Sequence, residues 1–420
     1  MTALDAVVYG AAELVAGPAA DGGSLETYED GAVAIVDGTI AAVGPTTEVT
    51  AEYPPENAGH AVDADGQAVV PGFVDPHTHA LFAGDRADEF AAKLRGKSYQ
   101  DILAEGGGIL RTVRAVRDAD EETLLSNLLA HLDTMLAHGT TTVEVKSGYG
   151  LDTETELRML RVIDSADDIH PVDVVPTFMG AHAVPEGWDT DDYTAAVVSE
   201  QLPAVASQGI AEFCDVFCEE GVFSVAQSRR VLEAGAAAGL TPKVHAEELA
   251  HIGGTQLAAD VGAASADHLL HATDDDIDAL VESGVTPVLL PGTAFGLGAE
   301  YADAEAFLDA GASVAVATDF NPNCHSHSMG FALSLACVEM GLTPAEALIA
   351  GTNHAALALD RTDGLGTLRK GAPGDIVVLA APSHVHIPYQ YGTNVVDTVL
   401  KDGSVVSTPT HESYDRGVKS

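Results

Sequence analysis

The chain is poor in basic residues, cysteine and aromatic side chains. Only 19 lysines and arginines stand against 64 aspartates and glutamates, a formal net charge of −45 over 420 residues. A surface so short of cations repels nucleic acid and anionic membrane, so neither is expected as a partner. It also repels itself unless salt screens it, and the Debye length falls to about 3 Å at 1 M. The composition therefore reads as adaptation to a very salty, halophilic cytoplasm. Four cysteines, Cys214, Cys218, Cys324 and Cys337, are too few for a disulfide framework in a chain of this length. Cys214 and Cys218 stand four apart with no second pair, so they read as reduced buried thiols and not as zinc ligands. No run of eighteen apolar residues occurs, and Met1–Gly10 carries neither a basic run nor an apolar core. Neither a membrane span nor a secretory leader is expected, and the expected location is cytoplasmic. An acidic disordered chain is excluded by the 46% of hydrophobic residues, enough for a large core.

What is present changes character along the chain. Near the start, Ala32–Val36 and Thr39–Val43 flank Asp37-Gly38, an antiparallel hairpin with an Asp-Gly turn. Near the end, Val395–Leu400 and Ser404–Val406 flank Lys401-Asp402-Gly403, and Asp375–Leu379 is a further short strand. The two chain ends are expected to meet in one small β-sandwich. Between them, short β-rich runs alternate with longer helical stretches, the signature of βα units around a parallel sheet. Eight candidate strands are Ala68–Asp75, Thr140–Val145, Val172–Phe178, Glu212–Phe217, Pro242–His245, Ser265–Leu270, Thr286–Leu290 and Ser313–Thr318. Amphipathic alanine-rich runs fill the gaps, among them Thr123–His138, Thr155–Ser165, Ser224–Ala238 and Ala302–Ala310. The expected fold is an α/β TIM (β/α)8 barrel over residues 67–364, with a composite β-sandwich from residues 1–66 and 365–420.

Chemistry in such a barrel sits at the C-terminal ends of the strands, and those ends are polar here. The first ends Gly72-Phe-Val-Asp-Pro-His77-Thr-His79. Residues i and i+2 of an extended segment point the same way, so the two imidazoles suit a divalent metal. The fifth ends Lys243-Val-His245-Ala-Glu-Glu248, and the sixth contains Asp267-His268. A lone histidine there is more often a satisfied core residue than a ligand. The eighth ends Ala315-Val-Ala-Thr318-Asp319, a carboxylate that is costly to bury without a partner. A metal supplies that partner, which makes His77, His79, His245 and Asp319 the candidate ligands. A bound metal acidifies water to a pKa near 7, and a base must sit within reach of that water. Asp319 and Glu248 are the candidates. Neighbouring Glu247 is the bland alternative, with the acidic pair a solvated face.

These segments resemble the amidohydrolase superfamily. Within it, the likeness narrows to the imidazolonepropionase family on His77-Thr-His-Ala-Leu-Phe-Ala-Gly-Asp-Arg86, Gly106-Gly-Gly-Ile109, Glu144-Val-Lys-Ser-Gly-Tyr-Gly-Leu151, Phe178-Met-Gly-Ala-His182-Ala, His245-Ala-Glu-Glu248, Ser265-Ala-Asp-His268, Pro291-Gly-Thr-Ala-Phe295 and Thr318-Asp-Phe-Asn-Pro322. They span nearly the whole chain. The resemblance implies hydrolysis of the small molecule 4-imidazolone-5-propanoate to N-formimidoyl-L-glutamate in histidine degradation. It implies one zinc or iron on His77, His79, His245 and Asp319, and a homodimer. It makes Arg86, Tyr149, His182 and Glu248 substrate contacts, His268 a catalytic histidine, and Asn321, Asn323 and Cys324 a substrate-contacting loop. Arg86 suits a carboxylate held in bidentate fashion, although a surface pair with Asp85 or Asp88 is its ordinary reading. Tyr149 and His182 have ordinary readings as a packed ring and a loop histidine. Binuclear relatives bridge two metals with a carboxylated lysine on strand four, but Glu212–Cys218 has no lysine. One metal is therefore expected, with Lys146 structural or a nearby charge. One departure stands out: the family's Asn-Pro-Gly-Ser reads Asn321-Pro-Asn-Cys324 here, which puts a side chain at 323. His325 and His327 read as a loop feature. Rival readings are another amidohydrolase activity, such as a guanine-type deaminase or a different cyclic-amide hydrolase, and a metal-binding protein without turnover.

Overall fold

The computed structural model describes residues 4–97, 101–102 and 105–408. The ends of the composite β-sandwich range, residues 1–3 and 409–420, lie outside them. Both hairpins form where the turn chemistry demands. Asp37 and Gly38 have φ of 50° and 74°, and Asp402 and Gly403 have 48° and 78°. This left-handed pair matches the twist of the flanking strands. The first hairpin, Gly31–Val36 with Thr39–Pro45, joins Leu4–Ala11 and His60–Asp63 in a four-stranded sheet. The second, Val396–Lys401 with Ser404–Ser407, joins Ile376–Leu379, Ala68–Pro71, Glu13–Pro18 and Leu25–Tyr28 in a six-stranded sheet. Val8, Val33 and Ile35 from one sheet pack against Leu14, Val69, Ile376 and Leu400 from the other, so both chain ends share one core.

The central sheet has eight parallel strands in sequence order: Phe73–Asp75, Thr140–Lys146, Asp173–Ala181, Phe213–Cys218, Thr241–Ala246, Ser265–His268, Thr286–Leu289 and Ala315–Val316. It closes where the His79 N–H donates to the Phe320 carbonyl at 2.9 Å and the Asp319 N–H donates to the His77 carbonyl at 3.2 Å. Helices cover it on apolar faces. In Glu121–Ala137, Leu124, Leu128, Leu132 and Met135 recur at helical spacing and are all buried, and Asp120 caps the start by accepting from the Thr123 N–H. Thr153–Ile169 repeats the device with Asp152.

Two strand expectations are corrected. Ala68–Asp75 is not one strand: Ala68–Pro71 pairs with Ile376–Leu379 in the sandwich, and Phe73–Asp75 pairs with the second barrel strand. Gly72 makes the exchange. Its N–H donates to the Asp375 carbonyl at 3.0 Å, and a Cβ there would lie 2.3 Å from Thr141 Oγ1. The eighth strand is regular only over Ala315–Val316. Beyond it, the Thr318 N–H and hydroxyl both turn to the buried Asp75 carboxylate, at 3.1 and 2.6 Å. The four cysteines are free, three of them buried. Among the described residues no helix is long and apolar enough to cross a membrane.

Candidate active site

Four side chains meet at the barrel mouth. His77 and His79 follow the first strand, His245 lies near the end of the fifth, Asp319 follows the eighth, and all are buried. Nε2 of His77 and of His79 lie 3.6 and 3.8 Å from the same oxygen, Asp319 Oδ1. Nε2 of His245 lies 3.3 Å from Nε2 of His79. The ligand atoms of His77, His79 and His245 all fall within 4.8 Å of one another, and so do those of His77, His268 and Asp319. His77 Nε2 is buried with no hydrogen-bond partner. Buried polar atoms are paired as a rule, and converging imidazole nitrogens beside a carboxylate are what a metal ion pairs. The residues fit a metal.

The opposite ring edges decide which nitrogen is offered. His77 Nδ1 lies 2.6 Å from Asp267 Oδ2, and His245 Nδ1 lies 3.1 Å from Asp215 Oδ1. A carboxylate there accepts a hydrogen bond from Nδ1–H, which leaves Nε2 to offer its lone pair. Burial holds His77, His79 and His268 well below the ordinary imidazole range, with Lys146 adding to the effect at His77. Burial opposes a charge on His245 too, but the Asp215 carboxylate outweighs it and raises that group. Lys146, buried at the end of the second strand, binds this layer together. Its Nζ lies 2.7 Å from Glu144 Oε1, 2.7 Å from Asp215 Oδ2 and 3.8 Å from Asp267 Oδ2. Lys243 Nζ donates to the Pro76 carbonyl at 2.8 Å, under the turn that carries His77.

Asp319 is held from two sides. The Thr293 hydroxyl donates to its Oδ2, and Asn321 Nδ2 donates to its Oδ1 at 2.9 Å. Burial raises the Asp319 carboxyl, and the Thr293 bond moderates the rise. Asp319 and His268 have φ of 49° and 82°, conformations that non-glycine residues adopt at a cost and that gather at functional sites. Asn321 Oδ1 accepts the N–H of Asn323 at 2.7 Å and of Cys324 at 3.0 Å, which folds the following loop. The Asn323 side chain accepts from Lys93 Nζ at 2.8 Å. The Cys324 thiol is buried against the Thr318 carbonyl, Sγ to O 3.6 Å, and burial pushes it up to about 12.

Around this centre stand the remaining polar residues. His182 stacks on His79, with centroids 4.6 Å apart, and Tyr149 lies 5.3 Å from His182. Burial lowers His182 to about 3, so it is neutral, and its Nδ1–H donates to the Gly148 carbonyl at 3.1 Å. Arg86 Nε donates to Glu89 Oε2 at 2.8 Å, while Asp88 pairs with Arg111. The surface pair with Asp85 or Asp88 is not what forms; with its side chain only 11% exposed, Arg86 lies on the inner rim. The Glu248 side chain is 14% exposed, 3.8 Å from His268 Nε2, and burial with the nearby Asp319 charge pushes its carboxyl up to about 8. Glu247 is not a solvated neighbour: it is buried and accepts N–H bonds from Gly253, Gly254 and Thr255 at 2.7–2.8 Å.

The structure thus brings His77, His79, His245, Asp319, His268, Glu248, Tyr149 and His182 together. Sequence reasoning gave no role to Asp215, Asp267 or Thr293. The signal for Asp215 was there: it is a charge on the otherwise apolar strand Phe213–Cys218, the reasoning already applied to Asp319.

A closed parallel barrel with histidines and an aspartate at its strand ends defines a metal-dependent hydrolase of the amidohydrolase class. The Amidohydrolase family matches residues 68–406, and a bacterial imidazolonepropionase-like composite domain matches residues 31–55. The chain is 92% identical over 419 residues to the imidazolonepropionase of Haloarcula marismortui, covering 100% of both chains. It is 65% identical to that of Halobacterium salinarum, over 96% of this chain and 98% of the relative. A zinc-bound adenosine deaminase from Xanthomonas campestris shares the fold, with a TM-score of 0.75 at 19% identity over 96% of this chain and 93% of that one. The chain belongs to the amidohydrolase family and, within it, to the imidazolonepropionases, hydrolases of a cyclic amide C–N bond.

Proposed function

We propose that the chain opens the ring of 4-imidazolone-5-propanoate with water, giving N-formimidoyl-L-glutamate in histidine degradation. The observation that carries this is the convergence of His77, His79, His245 and Asp319 on one point, walled by Tyr149 and His182, in a chain 92% identical to an imidazolonepropionase. His77, His79, His245 and Asp319 would hold one metal ion, zinc or iron. When bound, it supplies an acidified water and polarises the ring carbonyl. Asp319, aimed by Thr293 and Asn321, accepts a proton from the attacking water. His268, neutral and buried, donates a hydrogen bond to the oxygen that gains charge as the carbonyl carbon becomes tetrahedral. The C–N bond then breaks, and the proton held by Asp319 passes to the leaving ring nitrogen. Glu248, its carboxyl pushed up by burial to about 8, hydrogen-bonds the ring nitrogens and sits where it can relay a proton. Arg86 holds the propionate carboxylate, Tyr149 and His182 fix the ring plane, and Asn321, Asn323 and Cys324 form the loop over it. The same reading makes the enzyme a homodimer in a salty cytoplasm. The acidic composition supports the salt, and the family likeness supports the dimer.

The test is turnover of the imidazolone in molar potassium chloride, followed by its absorbance, with ammonia assayed in parallel. Ring opening without ammonia, removed by a chelator and restored by metal, is the expected result. Asp319→Asn is expected to lose at least about 10³-fold in kcat while keeping its fold. Ammonia release, or a fully active Asp319→Asn, overturns the assignment.

A further inference from the structure

Lys93 has no part in the machinery above, yet its position is specific. Arg86, Glu89 and Lys93 stand at i, i+3 and i+7, on one face of the helix Ala87–Leu94 and the residue before it. Glu89 on that face is buried and holds Arg86 through Nε, and among the described residues the terminal guanidinium nitrogens have no ion-pair partner closer than this one. One turn on, Lys93 Nζ donates to Asn323 Oδ1 at 2.8 Å. Asn323 in turn donates its N–H to Asn321 Oδ1, and Asn321 Nδ2 donates to Asp319 Oδ1. A continuous hydrogen-bonded path thus runs from the Lys93 ammonium to the centre of the barrel mouth. Among the described residues no carboxylate lies within 4.0 Å of Lys93 Nζ, although Glu89 and Arg86 are near enough to act on its charge. An ammonium has three donors, and among the described residues one of them has a hydrogen-bond partner.

A half-buried ammonium without a counterion is costly unless a ligand supplies the anion. In this chain the problem is sharper, because a net charge of −45 repels any anionic substrate from the surface at large. Two cations on one helix face, partly offset by Glu89 and linked through Asn323 and Asn321 to Asp319, make a local site of opposite sign. The side chain at 323 then has a purpose: it is turned onto Lys93 and keeps the ammonium at the rim.

We infer that Lys93 is a specificity-determining residue, the second cation of a carboxylate subsite it forms with Arg86, held in place by Asn323. This rests on the reading of the substrate as a propionate-bearing ring. Lys93 and Arg86 share the two carboxylate oxygens, so an acid is selected over a neutral analogue of the same shape.

The test compares binding of 3-(imidazol-4-yl)propanoate and its primary amide to the full-length, zinc-loaded protein by calorimetry in molar potassium chloride. The unmodified protein is expected to prefer the acid by at least tenfold. In Lys93→Ala that preference falls about fivefold or more, while amide affinity stays within twofold. Lys93→Arg restores the preference. For imidazolone turnover, KM rises in Lys93→Ala by a similar factor with kcat little changed. Equal weakening of acid and amide means that Lys93 only clasps the loop, and overturns the inference. So does an unchanged preference, or no acid preference in the unmodified protein. Failure of the unmodified protein to open the imidazolone sinks the proposed substrate, while the acid-to-amide ratio still decides Lys93.

Discussion

At the scale of single residues, the active-site charge pattern is the expected one for a mouth built around a cation, whereas the histidines of the 321–328 loop follow another logic. His327 packs on Phe320 with centroids 3.9 Å apart, and His325 and His131 ring it at 5.2 and 5.5 Å. Burial lowers His327 to about 3, and the neighbouring His131, His325 and His138 push the same way. The pH consequence has a definite sign. In the unfolded chain this imidazole takes a proton near pH 6.5, whereas in the fold it stays neutral down to about 3. The unfolded state therefore gains protons first as pH falls, and stability is lost across that window. Between pH 7 and 5.5 the loss is at most about 1 kcal/mol, roughly 1 °C of melting temperature for a chain of 420 residues. His327→Leu keeps the packing on Phe320 and is expected to lose that much less over the same interval. A variant whose melting temperature falls in parallel with the parent excludes the effect. The pair His325 and His327 could be read from sequence only as a loop feature, and its Phe320 partner is what gives it meaning. His77, His79, His245 and Asp319 were legible because each interrupts an apolar strand end. The Thr293–Asp319 and Lys93–Asn323 bonds were not, since they join residues 26 and 230 positions apart in types common on any surface.

At the scale of elements, most strands were readable from apolar runs and Asp-Gly turns, but the run Ala68–Asp75 hides a change of sheet. Both halves are buried on both faces, so periodicity carries no mark of the switch. Only Gly72 marks it, through contact with a residue nearly seventy positions away. This gives a sharp expectation. In Gly72→Ala the new Cβ meets Thr141 Oγ1 at 2.3 Å and Cγ2 at 2.7 Å, side-chain atoms of a buried residue on the second barrel strand. Overpacking of this kind costs about 1–3 kcal/mol. Because Phe73–Asp75 leads directly into His77, the displacement also reaches the proposed metal ligands. A lower denaturation midpoint should come with weaker zinc retention against a chelator. Thr141→Ala in the same background should recover much of both. If the double variant is no better than the single, Gly72 matters for a reason other than this contact. The truncated eighth strand was illegible for a related cause: its last residues turn from ladder bonds to the Asp75 carboxylate, a partner at the far end of the barrel's sequence.

At the scale of the whole molecule, charge sets the conditions under which the fold is stable. Of the 64 acidic residues, eleven among those described are buried, and the other described ones lie at least partly at the surface, where few of the 19 cations answer them. The exposed pairs that do form, such as Arg161 with Glu121 and Arg361 with Glu212, contribute little each. The compact fold therefore carries a self-repulsion that unfolding relieves. Raising salt from 0.1 to 2 M shrinks the Debye length from about 10 Å to under 3 Å, which removes most of it. The melting temperature is expected to climb by about 10 °C or more over that range. Potassium and sodium chloride should act alike at equal ionic strength, while sucrose at matched osmolality should not reproduce the gain. The KM for the imidazolone should fall over the first part of the same rise, because its carboxylate approaches a less negative surface. It should then level off, since the proposed carboxylate contact at Arg86 would be made at hydrogen-bond range, inside any screening length. A melting temperature indifferent to chloride salts would mean that bound cations or local pairing already neutralise the surface, and the acidic composition would need a cause other than salt. A KM that keeps falling with the melting temperature would point instead to partial unfolding of the mouth at low salt, which hydrogen exchange at the 321–328 loop would detect directly.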